Sequence, residues 1–179
     1  MKSLFRRRFL KLGALVAAAG VAPDLARAVT ENTERRLSLY STHTGEKLDV
    51  VYRIGNKYIA ESLAQIDHVL RDHRNNEVHA MRPDLLDLLH TLSVNLDSRA
   101  AFHVVSGYRS PVTNAILSAQ SEGVAKHSLH MDGLAIDIRL PGRELADLRR
   151  AAVALKCGGV GHYPRLDFVH LDVGRVRYW

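Results

Sequence analysis

The chain has 179 residues and a formal net charge of +6, and 46% of its residues are hydrophobic. Its single cysteine, Cys157, excludes an intramolecular disulfide, so stability has to come from a packed core. The positive charge does not imply a nucleic-acid partner. Residues 1–28 contain six Lys or Arg and one Asp, which leaves +1 for the remainder, and that remainder has no basic stripe with interleaved aromatic residues.

The first 28 residues have the features of an export signal. Three arginines in the RRRFLK segment, residues 6–11, precede an apolar run over residues 12–22, and residues 26–28 form an AxA cleavage site. The arrangement predicts a cleaved twin-arginine signal, with an ordinary secretory signal as the alternative. Either route takes the protein out of the cytoplasm. The apolar run is too short to remain as a membrane anchor, so we expect a periplasmic protein with one domain over residues 29–179, and a monomer.

Residue periodicity predicts alternating strands and helices after a loose segment over residues 29–35. In chain order it predicts strands over 37–40 and 47–54, a helix over 61–73, a helix from Pro83, a strand over 102–106, a helix from about Pro111, a strand from Gly133, a helix over 144–156 and a strand over 168–173. These elements favour an α+β fold with a mainly antiparallel sheet and packed helices. In the Pro111 helix we expect Ile116 and Leu117 to face inward. Cys157 is expected to be a small buried side chain and not a nucleophile.

The segment SLHMDGLAID, residues 128–137, contains the chemistry around which the chain is organised. It places His130 and Asp137, two good zinc ligands, on either side of Gly133 and Ala135, whose small side chains would leave room beside Asp137. A zinc ion that keeps a position for water takes three protein ligands, and His170 in the DFVHLD segment is the best candidate for the third. For any single histidine, a structural role is the more common alternative.

The pattern SxHxxGxAxD with a downstream DxxH resembles the group of zinc D-alanyl-D-alanine carboxypeptidases and L-alanyl-D-glutamate endopeptidases. Three further runs are similar to the murein endopeptidase K branch of that group: RLSLYSTHTGEKLDVVY, SGYRSPVTNA and GGVGHYPRLDFVHLDVGRVRYW. The resemblance covers nearly all of residues 29–179. It implies a Hedgehog/D-Ala-D-Ala peptidase fold, a Zn²⁺ cofactor and hydrolysis of the peptide part of peptidoglycan.

The resemblance also implies roles for individual residues. Asp167 occupies the position of the general base, and Arg109 the position of an arginine at the edge of the active site that would hold a substrate carboxylate or polarise the scissile carbonyl. Ser128 belongs to the family motif and is expected around the ligands. His162 is expected near the substrate or around the ligands, and not as a ligand itself.

The two carboxylates near His170 differ in their geometry. Asp172 shares a strand face with His170, so it either orients a histidine or is an outward surface charge. Asp167, three residues before His170, would point to the opposite face of an ideal strand, so we expect it to lie in the turn before the strand. The carboxypeptidases of the group have glutamate at this position, and the chain contains no HExxH segment.

Two other kinds of protein would fit part of this pattern: a zinc-containing cell-wall binding module without turnover, and a catalytically silent structural protein of the envelope. Neither needs Asp167 or Arg109, because neither residue is required to hold a metal. Their presence beside the three ligands favours a zinc metallopeptidase.

Overall fold

Eight strands form one mixed sheet in the computed structural model, which describes residues 33–121 and 123–179. The strands are β1 (Glu34–Ser41), β2 (Lys47–Ile54), β3 (Lys57–Tyr58), β4 (Phe102–Ser106), β5 (Ala135–Arg139), β6 (Gly159–Tyr163), β7 (Phe168–Asp172) and β8 (Arg177–Tyr178). The α-helices of the described residues are α1 (Ala60–Val69), α2 (Pro83–Asn95), α3 (Pro111–Gln120) and α4 (Leu145–Leu155).

The strand order across the sheet is β3-β2-β1-β4-β5-β7-β6-β8. Only the β1–β4 and β6–β8 pairs in this sheet of described strands are parallel. The expected mixture of helices with a mainly antiparallel sheet is therefore confirmed. Strands β3, β6 and β8 were not expected from the sequence, since two of them have only two residues and β6 is rich in glycine.

Alternation along the central strands separates the core from the functional face. One face of β5 and β7 carries fully buried aliphatic side chains: Ile136, Ile138, Val169 and Leu171. They join the same core cluster as the leucines of α2. The opposite face carries Asp137 and His170. A register shift of one residue would turn these two polar side chains into the core, so burial of the aliphatic set fixes which way they point.

Gly133 has a different role from the one expected. It ends a 3₁₀-helix, Leu129–Asp132, in the left-handed conformation with φ of 66°, and β5 begins only at Ala135. A Cβ atom on Gly133 would lie 2.3 Å from the carbonyl oxygen of Ala80. The glycine is therefore required by its backbone conformation and by the close approach of Ala80, and it does not serve to leave room beside Asp137.

Helix α3 corrects a second expectation, because Ile116 is 53% exposed while Thr113 and Asn114 are buried. Hydrogen bonds explain this orientation of the helix. The side-chain amide of Asn114 donates hydrogen bonds to the carbonyl oxygens of Ala125 and Lys126, so the polar side of α3 is turned toward the connection that follows it. Cys157 was also expected to be buried, and it is exposed.

The predicted signal at residues 1–28 lies outside the described residues. Among residues 33–121 and 123–179, no helix is long and apolar enough to cross a membrane.

Candidate metal centre

Three side chains converge on the functional face of the sheet: His130, Asp137 and His170. The Nε2 atom of His130 lies 3.2 Å from Nδ1 of His170 and 3.3 Å from Oδ1 of Asp137. The Nδ1 atom of His170 lies 2.8 Å from the same Asp137 oxygen. The structure therefore brings together the three residues that the sequence proposed as metal ligands.

Two kinds of local structure position this cluster. Asp137 and His170 are direct partners across the β5–β7 pair, so the sheet register alone places their side chains side by side. His130 comes from the 3₁₀-helix before β5, whose first turn is capped by the Ser128 hydroxyl accepting from the His130 backbone N–H at 3.4 Å. The carbonyl of His130 in turn accepts from the N–H of Arg109 at 3.1 Å, which joins the arginine turn to the cluster.

The outer nitrogen of His130 fixes the protonation of its ring. Nδ1 lies 2.7 Å from the carbonyl oxygen of Gly107. A carbonyl only accepts hydrogen bonds, so Nδ1 must carry the proton and donate it. The lone pair of a neutral His130 is then on Nε2, which faces Asp137 and His170. This arrangement is typical of metal-ligating histidines.

The outer nitrogen of His170 faces Asp172, with Nε2 and Oδ2 separated by 3.1 Å. Asp172 is fully buried. Its Oδ1 accepts the backbone N–H groups of Gly159 at 3.0 Å and Gly174 at 2.8 Å, and Arg177 pairs with Oδ2 at 2.7 Å. Asp172 is thus an immobile carboxylate that sets the orientation of the His170 ring, and the surface-charge alternative does not describe it.

The electrostatics of the cluster favour charged carboxylates. Burial would raise the pKa of Asp137, but the charges and hydrogen bonds of His130 and His170 outweigh it and lower that pKa. Burial would likewise raise the pKa of Asp172, and its contacts with His170, Gly174, Gly159 and Arg177 lower it. Burial would lower the pKa of His170, whereas Asp137 and Asp172 raise it. Two ionised carboxylates around a histidine form a site that attracts a cation.

The spacing of the three inner atoms fits a metal ion. Nitrogen and oxygen ligands of a tetrahedral ion lie about 3.3 Å apart, given metal–ligand distances near 2.0–2.2 Å. All three ligand atoms lie within 4.8 Å of one another. Among the described residues, this is the one group of at least three His, Cys, Asp or Glu side chains whose spacing suits a metal ion. Three protein ligands leave a tetrahedral ion one position for water or substrate.

Arg109 lies beside the cluster with its charge largely buried. One guanidinium nitrogen is 3.9 Å from Oδ2 of Asp137, and the same nitrogen is 3.4 Å from the Ser106 hydroxyl. The Nε atom is buried without a hydrogen-bond partner. Burial lowers the pKa of Arg109, and the charge of Asp137 opposes that shift. Arg109 also lines the cavity, where its terminal guanidinium nitrogens can donate to an anionic or carbonyl oxygen of a ligand.

Three other predicted site residues, Asp167, His162 and Ser128, are not part of the ligand cluster. Asp167 lies in the turn before β7, as expected, but its carboxylate is 64% exposed and pairs with Arg139 at 2.6 Å. His162 pairs with Val169 across β6 and β7, so it occupies the opposite face of the sheet from His170. Ser128 lines the cavity at the cluster.

A cavity of about 220 Å³ opens beside the three ligands. Its wall includes Tyr163, Leu166 and Phe168, which sequence reasoning did not select. Trp179, the last residue, was also missed, although its ring centroid lies 5.4 Å from that of His170. No sequence spacing signals these residues, because only the pairing of β6, β7 and β8 brings them next to the ligands.

Three larger depressions are present among the described residues. Two, of about 550 and 830 Å³, lie against β1 and β2, and one of about 400 Å³ is lined by Asp167 and Arg139. None of them contains any of the three ligands, whereas the smaller cavity combines ligand spacing, a buried arginine and an opening to solvent. The chemistry of its side chains makes the smaller cavity the candidate functional site.

Comparison with known proteins gives one family over nearly the whole chain. The family model described as peptidoglycan L,D-endopeptidase MepK matches residues 29–179. The peptidoglycan L,D-endopeptidase MepK of Escherichia coli K12 is 41% identical over 175 residues, which cover 97% of this chain and 96% of that protein. The probable peptidoglycan L,D-endopeptidase MepK of Haemophilus influenzae is 37% identical over 176 residues, covering 97% and 95% of the two chains.

Replacing Asp172 with asparagine should weaken metal binding by about 10- to 100-fold, because the His170 ring loses the carboxylate that orients it. The dissociation constant for Zn²⁺ measured by competition with a chromophoric chelator checks this. Asp84→Asn is the matched control, since it makes the same change at an exposed aspartate that pairs with Arg82. A folded Asp172→Asn protein with unchanged zinc affinity would contradict the orienting role.

Proposed function

The chain belongs to the peptidoglycan L,D-endopeptidase MepK family, and we propose that it is a zinc-dependent peptidase that hydrolyses an L,D amide bond in the peptides or cross-links of peptidoglycan. The observation that carries the proposal is the convergence of three ligand atoms beside a buried arginine in one open cavity. The names of the relatives support the substrate class and the type of bond.

The donor set supports zinc as the metal. His130 and His170 offer imidazole nitrogens and Asp137 a carboxylate oxygen, a combination that suits zinc, and both histidines have a hydrogen-bond acceptor on the outer nitrogen. When bound, zinc acts as a Lewis acid and lowers the pKa of a coordinated water to about 7. The protein contributes the fixed orientation of the three ligands and the shape of the cavity.

Arg109 is proposed to bind the substrate. Arg109 lines the cavity, and one of its terminal guanidinium nitrogens lies 3.9 Å from an oxygen of Asp137. Its Nε is buried, so a carboxylate or carbonyl oxygen of the peptide would accept charge-assisted hydrogen bonds from the terminal guanidinium nitrogens. Arg109 thus either anchors a substrate carboxylate or polarises the scissile carbonyl.

Asp167 is proposed to accept the proton of the attacking water and deliver it to the departing amine. Its two chain neighbours, Leu166 and Phe168, both line the cavity, so its backbone lies at the cavity rim. The role requires its carboxylate to leave Arg139. Exposed ion pairs contribute roughly 0.2–1 kcal/mol, so this exchange has a small cost. Asp172 is unsuited to the role because all its partners hold it within the protein.

We further propose the domain layout and location that the sequence suggests. The family model begins at residue 29, directly after the proposed cleavage site, which supports a signal over residues 1–28 and one peptidase domain over residues 29–179. A peptidase of peptidoglycan would act in the periplasm, reached by the twin-arginine route, and as a monomer without a membrane anchor. The sheet and its helices are proposed to be a version of the Hedgehog/D-Ala-D-Ala peptidase fold.

A binding module that holds zinc without turnover is the alternative. Digestion of cross-linked peptidoglycan by the purified chain, followed by mass analysis of the fragments, separates the two. The peptidase should release new fragments with zinc present and none after treatment with a chelator, and added zinc should restore the activity. Binding to peptidoglycan without any new fragments under zinc-replete conditions would favour the module.

Asp167→Asn should lower turnover by about 100- to 10,000-fold at saturating zinc, because the amide cannot accept the proton of the attacking water. Zinc affinity should be unchanged, since Asp167 does not touch the ligands. Initial rates on a soluble cross-linked muropeptide check this. Asp132→Asn is the matched control, the same change at an exposed aspartate near the cluster. An active Asp167→Asn protein would show that another group accepts the proton.

A further inference from the structure

A row of residues crosses the sheet at the level of the metal cluster. Asp137 on β5 is paired with His170 on β7, and His170 is paired with Gly161 on β6. Beyond β6, the parallel pairing of β8 brings the C-terminal Trp179 next to Gly161, where its backbone N–H donates to Val160 and its carbonyl accepts from His162. Trp179 is therefore hydrogen-bonded into the sheet beside His170.

Gly161 allows the indole of Trp179 to reach His170. A Cβ atom on Gly161 would lie 2.6 to 2.7 Å from three atoms of the indole ring. The ring therefore occupies the space that a side chain at position 161 would need. The centroid of the indole lies 5.4 Å from that of the His170 ring. The Arg177 guanidinium lies over the indole, 5.0 Å from the indole centroid.

The indole also determines how the hydroxyl of Tyr163 can act. The Nε1 atom of Trp179 donates a hydrogen bond to the Tyr163 oxygen at 2.8 Å. An indole N–H only donates, so the tyrosine oxygen is the acceptor, and its own proton is available to another partner. Within residues 33–121 and 123–179, no hydrogen bond is formed by that proton.

Tyr163 is held at the cavity from two sides. Its ring stacks on Phe168 with centroids 4.6 Å apart and an interplanar angle of 23°, and its oxygen is bound by Trp179. Tyr163 and Arg109 both line the cavity that contains the three ligands. A fixed hydroxyl with an unused proton next to the ligands is arranged to donate to an oxygen of the substrate.

We propose that Tyr163 is a catalytic residue whose hydroxyl donates a hydrogen bond to the scissile carbonyl oxygen of the peptide, and that Trp179 is its positioning residue. The inference rests on the proposed peptidase function. As water adds to the carbonyl carbon, negative charge develops on this oxygen, and a donor already in place stabilises that charge without reorganising. Trp179 restrains the orientation of this donor, because its N–H occupies one acceptor position of the Tyr163 oxygen.

Tyr163→Phe tests the proposal, because it removes the hydroxyl and keeps the ring stacked on Phe168. We expect kcat on a soluble cross-linked muropeptide to fall by about 100- to 1,000-fold, the usual effect of losing one oxyanion donor, with KM and zinc affinity little changed. Trp179→Phe should lower kcat less, again without a change in KM. Tyr178→Phe is the matched control, since its hydroxyl faces the Val153 carbonyl at 3.4 Å, away from the cavity.

A binding measurement gives a readout that does not depend on turnover. A phosphinate analogue of the cleaved peptide mimics the tetrahedral, negatively charged state, so Tyr163→Phe should bind it more weakly than the wild type, and Tyr178→Phe should not. Trp179 is the single tryptophan of the chain, so its fluorescence reports this binding in all three proteins.

The outcomes separate the inference from the proposed function. A wild type that cleaves the muropeptide and binds the phosphinate, together with a Tyr163→Phe protein that matches it in both, would overturn the role of Tyr163 and leave the peptidase function intact. A wild type that neither cleaves nor binds would overturn both. A loss of kcat in Tyr163→Phe accompanied by a loss of zinc would show a structural role and also overturn the inference.

Discussion

The functional site depends on one imidazole held between two buried carboxylates. His170 faces Asp137 through Nδ1 at 2.8 Å and Asp172 through Nε2 at 3.1 Å. Asp172 is fixed by two backbone N–H groups and by Arg177, so the ring has a single orientation relative to the sheet. Burial alone would disfavour the two charged carboxylates, but their contacts with the histidines, Arg177 and backbone N–H groups lower both pKa values. Asp137 therefore stays ionised and available to a metal at the inner atoms.

The sheet converts this local arrangement into a complete site. Pairing of β5 with β7 sets Asp137 beside His170, and pairing of β7 with β6 and of β6 with β8 brings Tyr163 and Trp179 to the same face. Asp137 lies 33 positions before His170, and Trp179 lies 16 positions after Tyr163. Pairing between different strands therefore brings these side chains together. The buried aliphatic residues on the other face stabilise that register, and the site therefore depends on the core.

The sequence was sufficient where the signal is local. Two ligands, His130 and Asp137, could be predicted because SxHxxGxAxD is a compact motif, and His170 came from the separate DxxH segment. The hairpin of β1 and β2 could be predicted because alternation and turn residues are local too. The explanation predicted for Gly133, that it leaves room beside Asp137, was wrong. The glycine is needed where the chain passes Ala80, more than 50 positions away in the sequence. Ile116 was misplaced because Asn114, a polar residue, decides which side of α3 faces inward. The position of Trp179 beside His170 could not be predicted from the sequence, because it depends on the space that Gly161 leaves on a neighbouring strand.

The proposed centre is a metal ion bound by His130, Asp137 and His170. Anomalous scattering at the zinc absorption edge from crystals of the zinc-loaded protein tests it most directly. We predict one strong peak about 2.0–2.2 Å from Nε2 of His130, an oxygen of Asp137 and Nδ1 of His170. A peak coordinated by other residues, or full zinc loading in solution with no peak at these three atoms, would contradict the account.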